Sequence, residues 1–288
     1  MHDPAIDATA TVRGLALHYR EYAGPGRPVV LLHGVASNAR IWIMAGPLLA
    51  ERFHVFALDQ RGHGESEAPD GGYDFASVVA DLDGFVQELG LERPVIVGHS
   101  WGGNVALEYA ATHPGRTAGL VLVDGGFMEI STRMTWERAE KEMAPPDLTQ
   151  LTPEQLIAGA KRWALGSLWS DEVEAAFLAN FRVTDDGTIR PRLSRANHMQ
   201  VVRALWDQHP SELYGDVRCP VLFIAAERES EGRAQEWQAM KREAIGRAQG
   251  SLADCQVQWF ADTIHDIPLQ RPKELAASIE KFVLGLEG

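Results

Sequence analysis

The residue best placed to do chemistry is Ser100, in the stretch VIVGHSWGGNVAL at 95–107. Glycines stand two positions before and two positions after it, so the stretch fits the pattern Gly-x-Ser-x-Gly. A serine on a sharp strand-to-helix turn has a strained backbone, and small flanking residues let the strand and helix pack closely around it. The free N–H groups at the start of the helix favour a negative charge developing beside the hydroxyl. We predict that Ser100 is a nucleophile; a small residue in a tight turn is the structural alternative.

Strand and helix patterns alternate on both sides of this motif. Nearly continuous apolar runs, typical of parallel strands covered on both faces, occur at 28–34, 53–59, 94–100 and 118–125. Between them, apolar residues recur at three- and four-residue steps, which indicates amphipathic helices. The shorter alternation in LALHYREYAG, near the start, indicates an antiparallel edge hairpin. The pattern predicts an α/β fold with a mostly parallel, doubly wound sheet.

The alternation stops at about residue 126 and resumes after residue 212. The intervening stretch contains helical patterns and no convincing buried strand, whereas 220–227 and 255–262 again have the pattern of strands. We therefore predict three parts: a first core segment (1–125), an all-helical inserted cap or lid (126–212) and a second core segment (213–288).

Five short segments together resemble the α/β-hydrolase superfamily, in that family's order. They are LLHG at 31–34, DQRGHGES at 59–66, VGHSWGG at 97–103, PVLFIAAERE at 220–229 and IHDIPLQRP at 264–272. The resemblance covers nearly the whole chain. It implies an eight-stranded sheet with a helical cap inserted after the sixth strand, which is where the helical block falls.

The same resemblance places the general base at His265, just beyond the last predicted strand. An imidazole that titrates near neutrality can accept the serine proton and later protonate the leaving group. We expect His99, the residue before Ser100, to pack or hydrogen-bond under the turn. His33 and His63 are expected to hold loops at the rim of the site.

The acid that orients the histidine has two main candidates. Glu229 follows Ala226 by three positions, where the family usually has aspartate after glycine, and we rank it first. Asp124, at the end of the sixth strand, is the alternative acid, because some family members place the acid there. Its position before two glycines also fits a simple turn. Glu129 and Glu227 are more distant candidates.

Backbone N–H groups of Val35 and Trp101 are predicted to form the oxyanion hole. The helical block holds four of the eight tryptophans. Aromatic residues at helical spacing are more often core than ligand contacts, but a lid with an apolar underside suits a hydrophobic substrate. The predicted substrate-binding residues are His33, Gly34, Phe127, Trp136 and Trp163.

These assignments predict a serine hydrolase that cleaves a carboxylic ester or lactone of a small to medium apolar substrate through an acyl-enzyme on Ser100. The resemblance also extends to epoxide and haloalkane hydrolases, but those have aspartate at the nucleophile position. Hydrolysis of a carbon–carbon bond beside a ketone, of a thioester or of an N-terminal peptide bond is an alternative. A non-catalytic ligand-binding protein is another. No cofactor or metal is implied.

Composition narrows the partners further. A formal charge of −13 without a long lysine and arginine block argues against nucleic acid. No apolar run approaches the roughly 18 residues of a membrane span, and the N-terminus has no basic segment followed by an apolar one, so we expect a cytoplasmic protein. There, we expect Cys219 and Cys255 to be reduced and buried, with a disulfide or metal pair as the less favoured alternative. The expected assembly is a monomer or homodimer.

Overall fold

The computed structural model describes residues 4–162, 165–229 and 231–286. The strands are β1 (Ile6–Val12), β2 (Leu15–Tyr22), β3 (Pro28–Leu32), β4 (His54–Leu58), β5 (Val95–His99), β6 (Gly119–Val123), β7 (Phe181–Val183), β8 (Ile189–Pro191), β9 (Val221–Ala226) and β10 (Cys255–Phe260). Eight of them form one sheet in the order β1-β2-β4-β3-β5-β6-β9-β10. Strand β2 is antiparallel to both neighbours, and the strands from β4 to β10 in this order are parallel. The predicted α/β fold and its edge hairpin are confirmed.

Eleven helices are described, and six of them cover the two faces of this sheet. The eleven helices are α1 (Gly46–Ala50), α2 (Phe75–Glu88), α3 (Trp101–Thr112), α4 (Trp136–Glu142), α5 (Pro153–Ala160), α6 (Asp171–Leu178), α7 (Arg195–Asp207), α8 (Pro210–Leu213), α9 (Arg233–Ser251), α10 (Ile267–Gln270) and α11 (Pro272–Gly285). Short 3-10 helices occur at Ala39–Trp42, Gly166–Leu168 and Tyr214–Asp216. One apolar cluster packs α2, α3 and α9 against the sheet, and a second packs α1, α10 and α11 against the opposite face. This arrangement is doubly wound.

The central strands explain why apolar runs rather than alternation marked the sheet. Val95, Ile96 and Val97 of β5 are successive residues that point to opposite faces, and all three are fully buried. A strand covered by helices on both sides has no solvent face on which a polar residue is favoured. Helix α2, by contrast, buries only one stripe, and the Asp74 side chain caps its first turn by accepting a hydrogen bond from the Ser77 N–H.

The segment between β6 and β9 contains α4 to α8 and also the two-stranded antiparallel sheet β7-β8. The prediction of an all-helical block over 126–212 is therefore wrong in this detail. Each of these strands has three residues. Three residues are too few for a period of two to be recognised.

The structure also bears on the two cysteines, on membrane spans and on metal binding. The thiols of Cys219 and Cys255 are free and partly buried, and desolvation raises the pKa of each to about 11. Among the described residues, no helix is both long and apolar enough to cross a bilayer. Within the same ranges, no three His, Cys, Asp or Glu side chains are grouped so that they could hold a metal ion.

Candidate active site

The turn at Ser100 joins β5 to α3 in a strained conformation. Ser100 has φ 54° and ψ −122°, a region that residues with a side chain rarely occupy. Its N–H donates to the carbonyl of Val123 at 2.9 Å, which ties the turn to the neighbouring strand β6. A Cβ on Gly98 would stand 2.1 Å from the Gly102 carbonyl oxygen, so the strand and helix approach closely only because glycine is present. The structure therefore has the strand-turn-helix context that the sequence motif predicts.

His265 lies in the loop between β10 and α10, and it lines the same cavity as Ser100. Its Nδ1–H donates to the Asp124 carboxylate, with 2.7 Å between Nδ1 and Oδ2. In the neutral imidazole, this bond leaves the lone pair on Nε2. Desolvation lowers the pKa of His265, but the hydrogen bond and negative charge of Asp124 outweigh it and hold that pKa above its ordinary value of 6.5. The arrangement leaves a base accessible at Nε2.

Asp124 follows β6 directly, and its side chain is only 3% exposed. Its backbone φ is 47°, so it is strained as Ser100 is. Besides His265, the carboxylate accepts a hydrogen bond from the Ala226 N–H at 3.1 Å and two from the Lys241 ammonium at 2.8 and 3.1 Å. Desolvation raises the pKa of Asp124, but His265 and Lys241 together bring it below its ordinary value. The carboxylate is thus held ionised.

In the structure, the carboxylate that hydrogen-bonds to His265 is that of Asp124, whereas the sequence ranked Glu229 first. Strands β5 and β6 are neighbours, with His99 opposite Val123, so the residues that follow them, Ser100 and Asp124, lie side by side at one sheet edge. Glu229 lies beyond β9 in an exposed loop. The alternative acid, already named from the sequence, is the carboxylate that meets His265.

The two residues predicted to supply the N–H groups of the oxyanion hole are Val35 and Trp101. Helix α3 begins at Trp101, so the N–H of that residue has no acceptor within the helix. Val35 follows the turn at Gly34, and both Val35 and Trp101 line the cavity at Ser100. A Cβ on Gly34 would stand 3.0 Å from the serine Cβ and 3.5 Å from its Oγ, so glycine brings this turn close to the hydroxyl.

The remaining histidines of the motifs are buried and neutral. The Nε2–H of His99 donates to the His265 carbonyl at 2.9 Å, and burial lowers the pKa of His99 to about 4. His33 donates to the Gly34 carbonyl and accepts from the Gln60 N–H. The His63 ring stacks on Trp101, and burial lowers its pKa to about 3. These rings connect the loops beneath the site.

Two cavities meet at Ser100, and Val35 and His265 line both. The larger, of about 620 Å³, extends toward α9. Its apolar walls include Trp101, Phe127, Met128, Ile130, Met143, Leu205 and Trp237. The smaller, of about 220 Å³, extends toward α6 and is lined by residues that include Gly34, Ala36, Ile41, Leu165, Ala176 and Phe177. We call them the large lobe and the small lobe.

The predicted substrate-binding residues separate into three groups. Phe127 lines the large lobe and Gly34 the small one, as expected of contact residues. His33 is fully buried, and Trp136 packs edge-on against Trp206; among the described residues, neither lines the two lobes. Trp163 lies outside the described residues.

Among the residues of the large lobe that sequence reasoning missed are Trp237 and Lys241. Both lie on α9, a helix whose residues are mostly charged or polar. The signal that could have revealed Lys241 is its spacing. It stands three, four and seven positions before Ala244, Ile245 and Ala248, all of which are buried.

Comparisons with known proteins agree with this fold. A family model described as alpha/beta hydrolase fold matches residues 27–229. The soluble epoxide hydrolase of Corynebacterium sp. is 42% identical over 101 residues, which are 35% of this chain and 35% of that protein. The 2-(acetamidomethylene)succinate hydrolase of Mesorhizobium japonicum is 27% identical over 227 residues, which are 78% of this chain and 79% of that protein.

Among solved structures, that of E-2-(acetamidomethylene)succinate hydrolase superposes with a TM-score of 0.80 at 25% sequence identity. The match covers 97% of this chain and 99% of that chain. For the first curated relatives, the aligned region spans only 35–39% of their own length.

Proposed function

Because the chain belongs to the alpha/beta hydrolase fold family, we propose that it is a serine hydrolase that cleaves a carboxylic ester or lactone of a small to medium apolar substrate. The observation that carries the proposal is the hydrogen bond between His265 and the buried Asp124, at a cavity that also contains the strained Ser100. A base oriented by a carboxylate, in the same cavity as a serine hydroxyl, is the arrangement that activates a serine.

The proposed reaction begins when His265 Nε2 takes the proton of Ser100 Oγ as that oxygen attacks the substrate carbonyl carbon. The N–H groups of Val35 and Trp101 donate to the oxyanion of the tetrahedral intermediate. The imidazolium, stabilised by Asp124, then protonates the departing alkoxide oxygen, which leaves as an alcohol and leaves the acyl group on Ser100. His265 then deprotonates a water, which attacks the acyl carbon. As the acid is released, His265 returns the proton to Ser100 Oγ.

Ester or lactone substrates are supported by the lining of the large lobe, which is mainly aromatic and aliphatic around Ser100. Serine at the nucleophile position disfavours the epoxide chemistry that the name of the Corynebacterium relative indicates. We also propose that the segment 126–212 acts as a cap, because Met143 of this segment contributes to the large lobe and Phe177 to the small one.

A fluorophosphonate probe tests the nucleophile directly. We expect it to label Ser100 covalently, since the probe phosphorylates an activated serine, and we expect Ser100→Ala to abolish both labelling and turnover of p-nitrophenyl esters. A matched control is Ser251→Ala, which removes an exposed hydroxyl at the far end of α9. Turnover that persists in Ser100→Ala would refute the mechanism.

Amide hydrolysis is a second candidate, and one comparison favours it. The relative that matches most of this chain is named for a substrate with an acetamido group. A panel that pairs esters, lactones and N-acetyl enamides of equal size distinguishes the two, because the preferred bond type shows the higher kcat/KM.

A further inference from the structure

Lys241 is the second partner of the carboxylate that meets His265. Its side chain is only 4% exposed, and its ammonium donates to both oxygens of Asp124 and to the Ala226 carbonyl at 2.9 Å. These three bonds use all the protons of the ammonium. Asp124 in turn receives hydrogen bonds from His265, Lys241 and the Ala226 N–H. The lysine is therefore a fully bonded member of the network.

The position of Lys241 on α9 is not explained by packing. It lies on the stripe that continues through Ala244, Ile245 and Ala248, where the helix is otherwise apolar. A lysine is almost never fully buried unless it is paired, and an apolar side chain at this position would pack without desolvating a charge. We attribute the buried charge of Lys241 to its contacts with Asp124.

We propose that Lys241 is a positioning residue, which fixes the orientation of the Asp124 carboxylate and weakens its attraction for the proton of His265. Both oxygens of Asp124 contact the ammonium, so the carboxylate cannot rotate away from His265 without losing a charged hydrogen bond. The positive charge also disfavours a second positive charge on the nearby imidazolium. The base then stays neutral to a lower pH than an unopposed aspartate would allow. This inference rests on the proposed function.

Among the described residues, four charged or titratable groups face His265 from the elements packed against it. Asp124 approaches from the end of β6, Lys241 from α9, His99 from the end of β5, and Asp266 is its neighbour in the same loop. Asp124 and Asp266 favour the imidazolium, whereas Lys241 opposes it. Removing the lysine charge removes a positive charge that counteracts the two aspartates, so the pKa of His265 should rise.

The decisive experiment follows His265 by NMR in the Ser100→Ala protein, where its ring can be titrated without turnover. We compare that parent with versions that also carry Lys241→Gln, Lys241→Met or Lys241→Arg. Gln keeps a hydrogen-bond donor without the charge, Met fits the apolar stripe, and Arg keeps the charge. We expect a higher His265 pKa with Gln and Met, and a pKa close to that of the parent with Arg.

The same substitutions in the Ser100 protein give the kinetic test. The acid limb of the kcat/KM profile should move to higher pH with Gln and Met. The plateau should fall about tenfold or more with Met, because a hydrogen bond to a charged group is lost. Arg247→Met is the matched control, since it removes an exposed positive charge from the same helix and should change neither the limb nor the plateau.

The NMR and kinetic measurements together distinguish failure of this proposal from failure of the proposed function. An unchanged His265 pKa in the Gln and Met versions, with only a lower Tm, would overturn the proposal and make Lys241 a structural residue. A raised His265 pKa in a protein that hydrolyses no ester would leave the role of Lys241 intact and refute the proposed function instead.

Discussion

At the scale of single residues, the site concentrates backbone strain at two neighbouring strand ends. Ser100 and Asp124 both have positive φ, at a cost of about 1–3 kcal/mol each. The carbonyl of Val123 accepts a hydrogen bond from the Ser100 N–H, so the two turns support each other. Strain held in this way gives the hydroxyl and the carboxylate fixed positions.

Asp124→Asn tests whether this carboxylate orients the base. We expect kcat to fall by about 10³–10⁴-fold, because an amide can stabilise neither the imidazolium nor the required tautomer. The negative charge that raises the pKa of His265 is also lost, so the acid limb of the profile should move to lower pH. This direction is opposite to that expected for Lys241→Gln.

Glu229→Gln is the matched control for that substitution. Its side chain is exposed, and we expect kcat within about twofold of the parent, as for ordinary surface changes. A collapse of activity in Glu229→Gln alone would restore Glu229 as the acid.

The sequence led to Ser100 because the spacing of its motif has a mechanical reason, and to His265 because the family resemblance places a histidine just beyond the last strand. It could not rank the acids, because that choice depends on which strand end faces the histidine in space. Asp124 is 141 positions from His265 along the chain, and only the β5-β6 pairing brings its end of the sheet to the site. Lys241 could not be recognised for a similar reason, because its partner Asp124 is 117 positions away at the end of another element.

At the scale of elements, long buried strands were predictable and short exposed ones were not. The five residues of β5 are buried together and give a clear apolar run. The strands β7 and β8 have three residues each and pair with each other, and only Ile189 of the six is buried, so burial imposes no recognisable pattern on them. A strand was therefore predictable when several of its successive residues are buried.

The contact between the turns after β5 and β6 gives an element-scale prediction for Gly125→Ala. A Cβ at this position would stand 2.1 Å from the Ser100 carbonyl oxygen, a backbone atom that cannot move without shifting the turn. We expect a loss of stability of about 1–3 kcal/mol, measured by urea unfolding, together with reduced kcat.

Gly246→Ala provides the comparison on α9, where nothing lies within 4 Å of the added Cβ. Alanine is favoured over glycine inside a helix by about 0.5–1 kcal/mol, so this variant should be more stable than the parent. Equal stability of the two variants would mean that the contact at Ser100 yields without cost.

At the scale of the whole molecule, core and inserted segment close the site together. Asn38, after β3, donates to the Ala176 carbonyl at 2.9 Å and to the Asn180 side chain at 2.7 Å. On the other side, Asn104 of α3 donates to Gln208, which follows α7, at 2.7 Å. These polar links join the segment to the core at two places. The two lobes are therefore bounded by different elements.

The unequal lobes predict substrates with one bulky and one small group on either side of the scissile carbonyl. Phe177 of α6 lines the small lobe, so Phe177→Ala should enlarge it and raise relative kcat/KM for esters lengthened on the small side. Met128→Ala should act only on the other series, since Met128 lines the large lobe. Each methylene group that a lobe accepts or excludes changes the transition-state free energy by about 1–3 kcal/mol, which is about tenfold or more in kcat/KM. Two ester series, one lengthened in the acyl group and one in the alcohol, measure this selectivity. If both variants shifted the same series, one lobe would hold both groups and the division at Ser100 would have no role in specificity.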